Sequence, residues 1–409
     1  MKGAAAWTER MVGQCLLPTS FRSKGQIQAR DYRPAGRYPV IDQGQSGIAG
    51  WTDDDSAVIN APLPVVVFGD HSRTLKFIDF PFARGADGTQ VLVPASDLDP
   101  LFFYYACKFI DVPARGYNRH FVQLKDSVFP CPSTIDAQRG IARALRWVER
   151  AISQEAERLA LAMEIKQVAM ASLFTRGLRG EAQKETEIGW VPQSWNVEPL
   201  GARCSVSSGG TPSRGNPAYW FGGEIPWVKT TEVNYCTIGQ TEERITLRGL
   251  EQSAAKLLPD GTLLMAMYGQ GVTRGRVAIL GLEAACNQAC AAISANDGAI
   301  IGKYLYHFLS WRYEAIRQLA HGGQQQNLNL DIVRALSVAA PAELSEQQEV
   351  VSILDAIDRK IALHRQKRAV LEDLFKALLH KLMTGEIDVN DLNLQALSAH
   401  EPVIEGSPA

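Results

Sequence analysis

Two segments of the chain, about half its length apart, are one long helix written twice. The first runs FPCPSTIDAQRGIARALRWVERAI from Phe129 and closes with SLFTRGLRGE at Glu181. The second runs VAAPAELSEQQEVVSILDAIDRKI from Val338 and closes with ALLHKLMTGE at Glu386. Pro132 aligns with Pro341, Gln138 with Gln347, Leu145 with Leu354 and Ile152 with Ile361 at an offset of 209; Gly180 and Glu181 align with Gly385 and Glu386 at 205. A globular unit followed by a long helix, repeated directly within 409 residues, constrains the architecture more than any single motif does.

Each helix carries its own start and stop signals. Asp136 and Ser345 occupy the aligned N-cap position, where a side-chain oxygen accepts from an otherwise unpaired helix N–H. Ser345 with Gln348 also fits a capping box. Gly180 and Gly385 stand where a left-handed residue closes a helix. Between those limits lie 43 and 39 residues, roughly 60 Å of rod each at about 1.5 Å per residue.

The apolar spacing shows what the rods pack against. In the second, Val350, Leu354, Ile357, Ile361, His364, Arg368, Leu371, Phe375, Leu378 and Leu382 follow an unbroken 4-3-4-3 rhythm. Such a two-position heptad seam is expected where a helix packs along another helix. The first helix keeps the rhythm through Ile141, Leu145, Val148, Ile152 and Leu159, then absorbs four extra residues before Met170 and Leu173, the size of a stutter. If the rods pair antiparallel their centres coincide, so Glu155 meets His364 or Arg368 and pins the register. Other charged positions, among them Glu149, Arg150, Arg359 and Lys367, read as a solvated periphery.

Residues 1–131 and 181–340 fill the space between the rods. Both hold short β-like runs punctuated by Gly and Pro: VVVFGD, FIDFPF and VLVP in the first, IPWVKT, TLLMAMY and RVAIL in the second. Helical periodicity is confined to Leu101–Phe109 and Lys303–Leu319. The fold class is therefore α+β: two mixed α/β domains separated by two long antiparallel helices that form a coiled coil, with a pseudo-two-fold internal repeat. The helical segments are 132–180 and 341–386, the polar AQKETEIGWVPQSWN stretch is the linker candidate, and 387–409 is a flexible tail.

Composition adds bounds. A chain 46% hydrophobic fills several cores. It holds no apolar run long enough to span a membrane and no secretory leader, and its seven cysteines form no C-x-x-C pair, which fits reduced thiols and a cytoplasmic setting. Net charge is −2, so any basic surface for nucleic acid is local or completed by a partner.

The second half resembles the specificity subunit of Type I restriction-modification enzymes along its whole length. The carriers are WVPQSWNVEPLG from Trp190, SGGTPSR from Ser208, YWFGGEIPWVK from Tyr219, LLPDGTLLMAMYG from Leu257, NQAC from Asn287, HGGQQQNLNL from His321 and the LSEQQEVVSILDAIDRKI helix start. The first half resembles the same subunit's other target-recognition domain through RYPVIDQG at Arg37, VVVFGDHSRTLKFIDFPFARGADGTQVL at Val65 and YNRHFVQLK at Tyr117. No counterpart of Trp190–Gly201 or of GGTP is evident before Arg37, which leaves the first 35 residues without a role.

The resemblance implies a DNA-reading scaffold without chemistry of its own. Each target-recognition domain would read one half of a bipartite, asymmetric site in double-stranded DNA, and the helices would set the spacer and hold two methyltransferase subunits. A restriction/translocase subunit would complete the complex. S-adenosylmethionine would belong to the methyltransferase, ATP and Mg to the restriction subunit, and no cofactor or metal to this chain. The competing reading is a non-catalytic coiled-coil scaffold that binds proteins only, with degenerate recognition domains.

Catalytic signatures are weak beside this. GQGVTRG at Gly269 superficially suggests a dinucleotide loop, but the strand-like RVAIL follows where a helix is required, so a turn is the better reading. The chain has no G-x-x-x-x-G-K-[ST] and no Asn/Asp-Pro-Pro-Tyr/Phe, and the Asp–His pair of FGDHS stands without a nucleophile or metal set. For DNA, Arg and Lys can clamp phosphate or guanine and Gln and Asn can read adenine. Loop residues of these types are Gln43, Gln45, Arg73, Lys76, Arg84, Asn118, Arg119 and His120 in the first unit. Their equivalents in the second are Lys229, Tyr268, Gln270, Thr273, Arg274 and Arg276.

Overall fold

A computed structural model describes residues 6–18, 25–85, 88–113, 116, 119–269, 272–296, 298, 300–319 and 327–392. The repeated helices are Ile135–Arg176 and Leu344–Met383, of 42 and 40 residues. Each starts one residue before the expected cap, so Asp136 and Ser345 belong to the first turn instead of flanking it. The first helix stops at Gly177 (φ 65°) rather than Gly180 (φ 58°); both glycines turn left-handed, and the earlier one ends the helix.

The seam of the second helix is buried or half-buried at every expected position except Arg368, which is exposed and bonds Glu372 on its own helix at 2.8 Å. The stutter expected in the first helix is absent. Glu155, Ala162, Lys166 and Ala169 carry the 4-3 rhythm through the supposed gap, all buried or half-buried, so the offset of 209 holds from Leu145/Leu354 to Leu173/Leu382. The four extra residues fall after the helix. An apolar-only pattern misses them because two of the connecting seam positions are charged.

The chain divides into two compact units, Met1–Ala156 with Arg365–Ala409, and Glu157–His364. The long helices are shared out between the units instead of forming separate spacer segments, because their seams enter the domain cores. In the first unit Ile141, Ala144 and Leu145 join Leu382 and Met383 around Phe102, Phe103 and Tyr105 of the helix Pro100–Phe109. The helices run antiparallel here. Glu155 lies 3.8 Å from Lys367, which takes the role expected of Arg368, while Gly140 abuts Val389, past the end of the second helix. In the second unit Met170 and Phe174 share a core with Val350, Leu354, Trp195, Tyr304 and Phe308, and Lys166 pairs with Asp358 at 2.6 Å.

The units have one internal plan. In the first, Tyr38–Ile41 lies between antiparallel Gly50–Thr52 and parallel Ala83–Arg84; in the second, Ile225–Val228 lies between antiparallel Glu243–Ile245 and parallel Ala285–Cys286. A second sheet centres on Val65–Gly69, between Leu75–Ile78 and Thr89–Leu92. Its equivalent centres on Leu263–Ala266, between Val277–Leu280 and Cys290–Ala295, and grows to five strands. Each unit closes with a two-stranded ribbon leading into a long helix, Trp7–Met11 with Val128–Pro132 and Asn196–Pro199 with Ser337–Ala340.

That ribbon corrects three expectations. Trp7–Met11 is the counterpart of the Trp190–Gly201 segment: Trp7, Val12 and Gly13 match Trp195, Leu200 and Gly201 at an offset of 188. A Cβ on Gly13 would stand 3.1 Å from the Lys125 carbonyl and one on Gly201 3.0 Å from Arg334, at equivalent sites 209 apart. The linker candidate is an ordered hairpin, Gln183–Thr186 with Gly189–Pro192, and the Trp195 behind it is fully buried. The tail is packed as far as it is described: Ile387, Val389 and Leu392 lie against the first unit's core.

Trp195 also donates its indole N–H to Glu346 at 3.1 Å. Trp195→Phe keeps the apolar contact and should lower stability by about 1 kcal/mol. Trp195→Ala leaves a cavity and should cost about 3–5 kcal/mol, both read as shifts in urea midpoint.

Candidate nucleic-acid interface

One hairpin recurs in both units and carries Arg73 and Lys76 in the first and Tyr268, Thr273, Arg274 and Arg276 in the second. In the first unit it joins Val65–Gly69 to Leu75–Ile78, with Arg73 N donating to the Gly69 carbonyl at 2.7 Å. In the second it joins Leu263–Ala266 to Val277–Leu280, with Gly275 N donating to the Ala266 carbonyl at 2.8 Å. Gly275 has φ 86°, and at the matching point Arg73 has φ 61°. A left-handed non-glycine residue is strained by roughly 1–2 kcal/mol; here the guanidinium is held by a 2.8 Å bond to the Val112 carbonyl.

Around the first hairpin, exposed Gln45 bonds Thr74 at 3.3 Å and half-buried Gln43 accepts from His71 N at 3.2 Å. A Cβ on Gly69 would come within 2.9 Å of the Gln43 side chain, so glycine makes room for it. Arg73 and Arg119 are exposed, and Arg84 sits half-buried on the neighbouring sheet. Lys76 is buried: its ammonium donates to the Asp42 carbonyl at 2.8 Å, and burial pulls its pKa down despite the Asp42 carboxylate. His120 is also buried, with Nδ1 2.9 Å from the Asp70 carbonyl. As placed, Lys76 and His120 hold the frame and present no surface to a duplex. Asn118 and Gln270 lie outside the described residues, as do residues 321–326 of the HGGQQQ loop.

Around the second hairpin, Tyr268 is exposed, Thr273 half-buried and Arg274 buried. Arg276 bonds the Asn234 side chain at 2.6 Å, its guanidinium 5.7 Å from the Tyr235 ring centre. Tyr235 itself is left-handed (φ 53°) and packs edge-on to Tyr313 at 5.7 Å. Tyr313 in turn donates to the Val272 carbonyl, and Arg317 lies over the Tyr313 ring. The result is a cluster of arginines interleaved with tyrosines, to which sequence reasoning contributed only Tyr268, Thr273, Arg274 and Arg276. Tyr313 and Arg317 share a helix face at i,i+4, a signal the sequence carried unread.

Lys229 lies apart, at the end of the other sheet. Its ammonium is 2.5 Å from Glu242 and 3.4 Å from Glu243. Bonds from Arg214 first, and then from Lys229, hold Glu243 below the usual carboxylate range. Arg214 stacks 3.9 Å over the Trp220 ring centre.

The Asp–His pair of FGDHS has a structural task. Asp70 Oδ1 accepts from Phe121 N at 2.8 Å at the start of the short helix Phe121–Asp126. In the second unit Asn329 caps Leu330–Arg334, accepting from Ile332 N at 2.8 Å. The stretch around Gly269 connects two antiparallel strands, as a turn should.

Among the described residues one group has metal-ligand geometry, His307, Asp355 and Asp358, with ligand atoms within 4.8 Å of one another. Lys303 lies 2.5 Å from Asp355 and Lys166 2.6 Å from Asp358, so two ammoniums already balance the two carboxylates. The group ties the helix Gly302–Trp311 to the second long helix. Tyr105, at the same place in the first unit, bonds Glu149 at 2.9 Å, and Glu149 aligns with Asp358.

Residues 192–373 match the family described as Type I restriction modification DNA specificity domain. The chain is 24% identical to the Escherichia coli EcoR124I/EcoR124II specificity subunit over 350 residues, 82% of this chain and 83% of that one. It is 28% identical to the Methanocaldococcus jannaschii MjaIX specificity subunit over 214 residues, 50% of this chain and 48% of that one. Its fold resembles the crystal structure of a Type I restriction-modification S subunit from M. genitalium, with TM-score 0.64, 15% identity, and coverage of 94% of this chain and 97% of that one. The match over residues 192–373, the relatives at 24% and 28% identity and the fold thus all liken the chain to Type I specificity subunits. No helix among the described residues is long and apolar enough to cross a membrane.

Burial pulls the His307 imidazole below its usual range, although Asp355 accepts a bond from it at 3.0 Å. The unfolded imidazole takes up its proton near pH 6.5 and the folded one only at lower pH. Below about pH 6.5 the unfolded state therefore binds more protons and stability falls as pH falls. Burial would raise Asp355, but bonds from Lys303 and His307 outweigh it and keep it low, adding a loss in the same direction at more acid pH. A lower urea midpoint at pH 5.5 than at pH 7.5 is expected, and His307→Tyr, which copies the other unit, should shrink the difference.

Proposed function

We propose that this chain is the sequence-reading subunit of a Type I complex in which each unit reads one half of a split, asymmetric DNA site. The observation that carries the reading is the recurrence of one hairpin in two units, with different exposed and half-buried side chains on and around it. Gln45, Arg73 and Arg119 are the proposed contacts in the first unit; Tyr268, Thr273, Arg276 and Arg317 are those in the second. Arg and Gln suit base edges and phosphates, and tyrosine beside arginine suits a nucleotide ring. Half-sites one helical turn apart, about 34 Å, lie within the reach of helices about 60 Å long.

The chain contributes recognition and no chemistry in this proposal. Adenine methylation would come from partner methyltransferase subunits carrying S-adenosylmethionine, and cleavage from a restriction/translocase subunit using ATP and Mg. The helices support two docked copies of one partner. Leu161, Ile165 and Val168 form an exposed apolar stripe on the first helix, 57%, 50% and 64% accessible. At the offset of 209 stand Val370 and Leu374, 61% and 45% accessible, and exposed Ala377. A stripe repeated at the same heptad positions suits the same partner bound twice.

Long-read methylation mapping of cells that carry this chain with its methyltransferase tests the reading. A two-part adenine motif that vanishes on deletion of the chain is expected; an unchanged methylome would favour the protein-binding scaffold instead. Leu161→Glu and Val370→Glu should each remove one partner copy from the complex and together remove both, as counted by native mass spectrometry.

A further inference from the structure

The same buried glutamine stands at the head of both long helices. Gln138 and Gln347 are 2% and 0% exposed. In the first unit Gln138 Oε1 accepts from Asp99 N at 2.8 Å, and its Nε2 donates to the Pro132 carbonyl at 3.1 Å. In the second, Gln347 Oε1 accepts from Ile301 N at 2.9 Å, and its Nε2 donates to the Pro341 carbonyl at 3.0 Å. Asp99 and Ile301 are the N-cap residues of matching helices, Pro100–Phe109 and Gly302–Trp311. Pro132 ends the strand Val128–Pro132 and Pro341 directly follows the matching strand Ser337–Ala340, each just before a long helix.

One side chain thus ties three elements of a unit: the head of the domain helix, the strand that leads out of the domain, and the first turns of the long helix. Only a group with a donor and an acceptor at one end can hold both backbone atoms at once. A second tether lies further along the same two helices, Tyr105 to Glu149 in one unit and His307 to Asp355 in the other. Two tethers on a helix pair leave it little freedom to tilt or slide.

We propose that Gln138 and Gln347 are positioning residues that set the angle of each recognition domain on its long helix, and through it the half-site spacing the complex accepts. The inference rests on the two-half-site reading above. Neither residue touches DNA in it; both act through the helix they anchor. Loosening one anchor should let its domain follow a half-site displaced by one base pair, which moves the target by about 3.4 Å and about a tenth of a turn.

The test uses the assembled complex of this chain with its methyltransferase. Methyl transfer from labelled S-adenosylmethionine is measured on duplexes with the native spacer and with one base pair added or removed. Gln138→Met and Gln347→Met keep side-chain length and remove both bonds. Each is expected to narrow the preference for the native spacer by up to about 100-fold, the scale on which a misplacement of about 1 Å acts, while preference among bases within each half-site stays unchanged. A purely structural role would lower the melting midpoint and leave spacer preference intact, and that result overturns the proposal. Tyr105→Phe, a milder lesion at the second tether, carries the same expectation if a glutamine variant does not assemble. A wild-type complex with no two-part target at all would remove the underlying reading, an outcome distinct from unaltered spacer preference in the variants.

Discussion

A helix of 40 residues has no stability of its own to spare, and its fate depends on burying one stripe along its length. Here the stripe is buried by another helix and also by a domain core. Leu145 and Leu354, at the same point of the repeat, are both fully buried, each among aromatic residues of its own unit. Without that double duty the rods would be solvent-exposed coils with a polar mean hydropathy. The two units would in turn lack the floor on which their helices Pro100–Phe109 and Gly302–Trp311 rest.

The charged members of the seam fit the same logic. Glu155 is 4% exposed and faces Lys367; Lys166 faces Asp358. A buried carboxylate or a half-buried ammonium without a partner is costly, so each tolerates only a narrow range of registers. Leucine tolerates a slip of one heptad; a lone buried charge does not. These positions are where the sequence looked interrupted, and they do the most to fix how the helices meet.

Legibility in the sequence followed the strength of periodicity. The two long helices, the seam of the second and the duplicated plan were readable because apolar residues recur at fixed spacing at eight of its ten seam positions. The N-terminal strand was not, because five residues pairing with a strand more than a hundred positions away leave no local pattern; only Trp7 and Gly13, read against Trp195 and Gly201, mark it. The hairpin at 183–192 looked like a linker since its residues are polar, yet polar residues form an edge hairpin as readily as a loose connection. For the interface, residue type could nominate arginines and glutamines but not their exposure. Lys76 and His120 are drawn inward by backbone carbonyls and Arg274 is buried, whereas Tyr235, Tyr313 and Arg317 join the cluster around Arg276 from distant segments.

The two units differ in how the chain builds them. The second is one uninterrupted stretch, Glu157–His364, while the first joins Met1–Ala156 to Arg365–Ala409. The Trp7 ring packs 3.2 Å from where a Cβ on Gly385 would stand, and Leu382 and Met383 complete a core begun by Val12 and Cys15. On the ribosome, the second unit can therefore close while the first is still waiting for the residues that follow His364. A product cut short before Leu382 would carry one finished unit and one open core, so a premature stop there would disable the unit encoded furthest upstream of it.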